Sequence, residues 1–261
     1  MEAAEHLHEH DHNHEHGVPV QEILKTALLI GLGLYFVVLI ATGSLTNYIN
    51  VRFSWLSYVA ALIFLLLGAT SAVRLMQSRR HDHHPHEHQH DHDPEHGSIS
   101  WAALAVIAVP LVLGTLIPSR PLGAAAVDSE LSANNIGGDV TAAFNIPPEQ
   151  RNILDWVRAL NAAEDPATLN GQTVDVVGFV YRGEAYTSDQ FLVARFTISC
   201  CVADAVAIGL PVAWPEDLPL DAWVRVRGQF VPGDFQGETR PVIQPTRVEL
   251  VEQPEHPYLY P

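Results

Sequence analysis

The chain is 261 residues long and carries 30 Asp and Glu against 14 Lys and Arg, for a formal net charge of −16. That balance excludes nucleic acid as a partner, because phosphate recognition needs clustered Lys and Arg. The two cysteines are adjacent, which excludes a disulfide scaffold and a CxxC zinc module, and the outlier is histidine: 15 residues, all but His256 in two short tracts.

Residues 1–17 read MEAAEHLHEHDHNHEHG, with His6, His8, His10, His12, His14 and His16 at every second position and acidic residues between most of them. No hydrophobic periodicity is present. The segment has too little apolar surface to offset an ordering cost of about 1–2 kcal/mol per residue. Residues 1–22 are therefore predicted to be a disordered, His-rich tail.

Three charge-free stretches follow, at 26–51, 53–73 and 98–119. A bilayer-crossing helix needs about 20 mostly apolar residues. A charge at its centre costs roughly 2.5–3.5 kcal/mol on the insertion scale. The pattern predicts three membrane helices over about 23–42, 53–73 and 99–117, within a membrane part spanning 23–118. Core helices of a soluble protein would carry a polar face. A secretory signal would be preceded by positive charge, not by an acidic tract. Gly31 and Gly33 permit close helix packing, Trp55 and Tyr58 suit the headgroup region, and Pro110 interrupts the third helix.

The second tract, HDHHPHEHQHDHDPEHG at 81–97, fills the loop between the second and third helices. It holds His81, His83, His84, His86, His88, His90, His92 and His96. Lys25, Arg74, Arg79 and Arg80 flank the helices on the face of the two His tracts, against Arg52 and Arg120 on the other. The excess places the His-rich segments in the cytoplasm and the C-terminal domain outside it, in a multi-pass protein of the inner membrane.

Residues 119–146 are rich in small and polar residues and read as a linker. Its GAAA at 123–126 resembles a signal-peptidase site, but small-residue linkers have the same composition. From 147 the chain reads as one domain to 261. Pro147, Pro148 and Glu149 open a helical pattern whose apolar face is Ile153, Trp156, Val157 and Leu160. Asn170-Gly171 marks a turn. A period of two then predicts five strands at 173–181, 191–199, 206–212, 223–230 and 242–251. In the fourth, Val224, Val226 and Phe230 face one way and Arg225, Arg227 and Gln229 the other. The fold class is thus a membrane α-helical N-terminal part of three helices plus a small OB-like β-barrel; a small antiparallel sandwich is the alternative. The tail PEHPYLYP packs along the domain surface.

Imidazole is the commonest protein ligand for zinc, copper and nickel. The H-x-H repeats offer many interchangeable ligands, and their carboxylates gather cations. They predict a promiscuous binder of Zn or another divalent transition metal, with no organic cofactor. The competing reading is a solvated, inert low-complexity tail. A second candidate thiol or metal site lies in ISCCVADA at 198–205: Cys200, Cys201 and Asp204. Neighbouring residues in an extended strand face opposite ways, so both thiols meet only if a bulge or turn intervenes. The bland alternative is one buried cysteine, one exposed cysteine, and Asp204 as a turn residue. Arg195, Arg225 and Arg227 read as ordinary solvated strand surface.

The apolar N-terminal helices, the His-rich insertion, ISCCVADA, WVRVRG and the closing PYLY together resemble the YcgQ-like family of bacterial membrane proteins, whose C-terminal CC-x-A-D domain is of unknown function. The resemblance spans essentially the whole chain. It implies a permease subunit partnered by a separate multi-helix permease. The helix cores hold no ionisable residue of the kind that lines ion and proton paths. The first reading is therefore a non-enzymatic accessory subunit of a permease, embedded in the lipid bilayer, with metal-binding His segments. The alternatives are a membrane-tethered thiol redox protein using Cys200 and Cys201, and a structural membrane adaptor.

Overall fold

The structure, a computed structural model, describes residues 20–81, 100–127, 145–183 and 186–261. The histidines at 6–16 and 83–96 lie outside these residues, while His81 is the last residue of a helix. The chain divides into two compact units, one formed by Met1–Val37 and Val59–Ile117, the other by Val38–Tyr58 and Pro118–Pro261.

The first unit holds most of the apolar helices α1 (Val20–Ala41) and α2 (Ser54–His81) and all of α3 (Trp101–Leu116). With 22 and 28 residues, α1 and α2 are about 33 and 42 Å long at 1.5 Å per residue. Both are long and apolar enough to cross a hydrocarbon core of about 30 Å. The described α3 has 16 residues and reaches only about 24 Å. The expectation of three membrane spans is corrected to two helices of spanning length and one shorter apolar helix. α2 also runs past the predicted end at 73, because the arginines that end the apolar run are good helix formers.

Glycines set the spacing of α1 and α2. A Cβ at Gly33 would stand 2.7 Å from the Leu65 side chain, and one at Gly68 would stand 2.6 Å from Ile30. Only glycine admits such an approach. Beside it, the Thr26 and Ser71 hydroxyls share a 2.6 Å hydrogen bond, and Phe36 stacks on Phe64 at 6.1 Å. Leu34, Val38, Leu62, Leu66, Val106 and Leu116 are exposed, as helix faces meeting lipid or another apolar surface would be.

Among the described residues, the second unit holds a closed five-stranded barrel, one complete α-helix and the loop between α1 and α2. Its strands are β1 (Thr173–Tyr181), β2 (Gln190–Thr197), β3 (Val206–Ala213), β4 (Trp223–Phe235) and β5 (Glu238–Leu250), in the order β1-β2-β3-β5-β4. β4 returns to β1, with Val176 opposite Val226, and β3 meets β5 in parallel at Val212 and Ile243. The predicted alternation in β4 is present: Val224, Val226 and Phe230 are fully buried. They join Val174, Val180, Phe191, Val193, Leu210 and Ile243 in the core.

The fourth helix, α4 (Ile153–Ala162), lies in this unit, so the described residues contain one more α-helix than the three apolar ones. It starts later than Pro148 suggests. Pro148–Gln150 forms a separate 3-10 turn, and Asn152 caps α4 through a reciprocal capping box with Asp155. Ile153, Leu154, Trp156 and Val157 join the barrel core, and Trp156 meets Phe230 edge to face at 5.0 Å. Before it, Leu122, Ala124 and Val127 from the predicted linker pack against a second cluster formed by Phe179, Phe196, Ile198, Phe235 and Tyr258.

Candidate functional site: the vicinal cysteine turn

β2 ends at Thr197, two residues before the predicted strand end, and the chain turns through Ser199, Cys200 and Cys201 into a 3-10 turn at Val202–Asp204. The cause is local. One Asp204 carboxylate oxygen accepts the Ser199 N–H at 3.0 Å, and the other accepts the Cys200 N–H at 2.8 Å. The Asp204 N–H in turn donates to the Cys201 carbonyl at 3.1 Å. A short acidic side chain closing its own backbone is how Asp organises turns.

Because the chain is turning here, the two thiols do not point to opposite faces. Their sulfurs stand 3.7 Å apart. Both are free; Cys200 is exposed and Cys201 half-buried. Burial works against ionisation of Asp204, but the Cys200 N–H and thiol, with the N–H groups of Ser199 and Cys201, outweigh it and hold the carboxyl below its ordinary value. The Asp204 carboxylate, and after it the Cys201 thiol, pushes the Cys200 thiol up to about 11. Cys200 is therefore a protonated thiol at neutral pH. The thiolate is the nucleophile and the metal ligand, so Asp204 quiets this cysteine. Among the described residues no group of three or more His, Cys, Asp or Glu side chains is placed to hold a metal ion. The Asp204 carboxylate is taken up by the Ser199 and Cys200 N–H groups and by the Cys200 thiol.

The turn is stitched to the loop joining α1 and α2, a contact that local pattern does not predict. Ile49 pairs with Cys201 as an antiparallel bridge. The Asn50 N–H donates to the Cys200 carbonyl at 3.0 Å, and the Val202 N–H donates to the Tyr48 carbonyl at 2.9 Å. Asn50, only 7% exposed, adds its side-chain amide to the Ser199 carbonyl at 2.8 Å. Its side-chain oxygen accepts the Arg52 N–H at 2.9 Å, capping the 3-10 turn Val51–Phe53. Its side-chain oxygen and nitrogen thus each have a partner, as a buried amide requires.

The C-terminal tail completes the junction. The Leu259 N–H donates to the Phe196 carbonyl at 2.9 Å, and the Ile198 N–H donates to the Leu259 carbonyl at 3.0 Å. The Tyr258 ring is buried, and its hydroxyl donates to the Asn47 carbonyl at 3.0 Å and accepts the Leu122 N–H at 2.9 Å. Asn50 and Tyr258 are the residues of this junction that the sequence reading misses. Their only local signal is polarity beside apolar neighbours.

The three arginines read as solvated strand surface differ in their surroundings. Arg225 makes a two-pronged pair with Asp175 at 2.7 Å for each prong; Arg227 reaches Asp175 at 3.2 Å and Glu249 at 3.4 Å. Arg195 stands apart, donating to the carbonyls of His256 and Pro257 beside the Trp223 ring. Burial lowers its guanidinium to about 10. It is an anchor for the tail, which corrects its reading as solvated surface.

A Bacillus subtilis protein, UPF0703 protein YcgQ, is 27% identical over 280 residues, covering 90% of this chain and 98% of its own length. A Streptococcus mutans protein provisionally named as a two-component membrane permease complex subunit is 23% identical over 272 residues, covering 88% of this chain and 94% of its own. No solved structure matches the chain. The DUF1980 N-terminal domain model matches residues 24–131, and the DUF1980 C-terminal domain model matches residues 130–261. The resemblance carried by ISCCVADA, WVRVRG and PYLY thus holds, and the chain belongs to the DUF1980 family with both of its domains.

Proposed function

We propose that this chain is an accessory subunit of a membrane permease complex, built to work with a separate multi-helix permease. The observation that carries the reading is the character of the apolar unit. Its helices expose large apolar side chains, and the stretches at 26–51, 53–73 and 98–119 contain no charged residue. A solute path through a bilayer normally shows ionisable residues facing it. The name given to the Streptococcus mutans relative, a subunit of a two-component complex, supports the same division of labour.

In this reading the protein lies in the inner membrane as a multi-pass chain. The His-rich segments are cytoplasmic, gathering zinc or another divalent ion near the permease, and the barrel, OB-like in its strand order, is extracytoplasmic. A thiol enzyme is the weaker reading, because Asp204 raises the Cys200 thiol and so makes it a slower nucleophile than an ordinary cysteine.

Affinity purification of the tagged full chain from membranes tests the central part. Co-elution of a distinct multi-helix membrane protein is expected; recovery of this chain alone, in mild detergent, would contradict it. Calorimetry tests the metal part. Micromolar zinc is expected to give heat with the full chain at neutral pH and much less after both tracts' histidines are changed to asparagine. Equal heat from the two chains would end that part.

A further inference from the structure

We propose that Cys200 and Cys201 form a reversible disulfide whose closure loosens the barrel's hold on the α1–α2 loop. The inference rests on geometry within the second unit and is independent of the permease reading.

The sulfurs are already 3.7 Å apart on an accessible turn. A disulfide brings them to about 2.05 Å. The Cys200–Cys201 peptide is trans, which fixes the two Cα atoms about 3.8 Å apart. Disulfide partners usually stand about 4.4–6.8 Å apart at Cα. Bonding two adjacent cysteines closes a small ring that contains their shared peptide, and a planar trans peptide at this short Cα separation does not fit that ring without distortion. That peptide is the seam of the junction. Its carbonyl, on Cys200, accepts the Asn50 N–H, and at its other end Cys201 is bridged to Ile49. The next residue, Val202, supplies the only other backbone N–H that crosses between these two segments among the described residues, to the Tyr48 carbonyl. Distortion here cannot leave the Asn50 and Val202 bonds both in place. The loop on the far side is short, running from Thr42 to Phe53 between the ends of α1 and α2.

The oxidant is an external disulfide, reacting by exchange. Cys201 sulfur attacks it, the external S–S bond breaks, and one thiol leaves with the Cys201 proton. Cys200 sulfur then attacks the resulting mixed disulfide, the Cys200–Cys201 bond forms, and the second thiol leaves with the Cys200 proton. The protein loses two electrons and two protons, and the external disulfide takes both. A dithiol reverses the reaction.

The test uses the full chain in detergent, treated with oxidised glutathione and then freed of it. Intact mass should show loss of two hydrogens, reversed by dithiothreitol. Backbone hydrogen exchange at Asn50 and Val202 should then be at least about ten-fold faster in the oxidised form, with exchange in β1 and β4 unchanged. Single Cys200→Ser and Cys201→Ser chains should retain slow exchange under the same treatment. Only glutathione adducts by mass, or a vicinal disulfide that leaves Asn50 and Val202 exchange unchanged, would overturn the proposal. Acceleration that persists in both single-serine chains would overturn it equally.

Discussion

The backbone N–H of Asn50 donates to the Cys200 carbonyl at 3.0 Å, across 150 positions of sequence, and makes the α1–α2 loop part of the barrel unit. The side chain of Asn50 reinforces that bond from both ends, through Ser199 and Arg52. Asn50→Ala leaves the Ser199 carbonyl and the Arg52 N–H without these partners. The expected cost is on the order of 1–3 kcal/mol. Asn50→Asp should keep the cap to Arg52 but face a carboxylate to the Ser199 carbonyl, so it should not rescue. Thermal unfolding of the detergent-purified variants checks both, and wild-type stability in Asn50→Ala would refute the role.

Asp204 has two separable duties, closing the turn and holding the Cys200 proton. Asp204→Asn retains one acceptor for the backbone but replaces the carboxylate whose hydrogen bond with the Cys200 thiol, and then its charge, pushes Cys200 up to about 11. In a Cys201→Ser background, alkylation of Cys200 by iodoacetamide at mildly alkaline pH should accelerate by about ten-fold or more, as the thiol moves toward its ordinary value. An unchanged rate would mean that the carboxylate does not govern this thiol.

The Asp175 pair carries an acid-dependent share of barrel stability. The Arg225 hydrogen bonds, against the cost of burial and with help from Arg227, hold the Asp175 carboxyl below its ordinary value. Its folded value is depressed, so its stabilisation is present at neutral pH and above the unfolded value, and is lost as pH falls through the folded one. The side chains are partly exposed, 26% for Asp175 and 42% for Arg225. Screening therefore keeps the contribution to about 1 kcal/mol. Asp175→Asn should lower the stability of the full chain at neutral pH by about that amount and flatten its decline below pH of about 4. A parallel acid decline in wild type and variant would count against the pairing.

Much of this architecture is written in local pattern. The alternation from Thr173 to Tyr181 marks β1 with its observed bounds, and the apolar period of Ile153, Trp156 and Val157 marks the face that α4 buries. The period is imposed by burial on one side, so it survives into sequence. The joined ends of β4 and β5 are less legible. Both strands extend to a two-residue turn in which Gln236 has φ 58° and Gly237 φ 82°. A primed turn needs positive φ at both positions, and Gln supplies a weaker cue for it than Asn or Asp does. Residue spacing alone leaves the thiol pair open because it depends on where β2 stops. That is decided by the Asp204 carboxylate, five residues after the Ser199 N–H it accepts. The junction through Asn50 and Tyr258 is less legible still. Each joins segments more than a hundred residues apart, and nothing in either segment names its partner.

The account's central claim is that this chain serves a permease without carrying a path of its own. Ion and divalent-metal flux across liposomes reconstituted with the purified full chain tests that claim most directly. The account predicts flux at the level of protein-free liposomes, rising only when the co-purifying multi-helix partner is added. Flux from this chain alone, above the protein-free level and scaling with its amount, would contradict it.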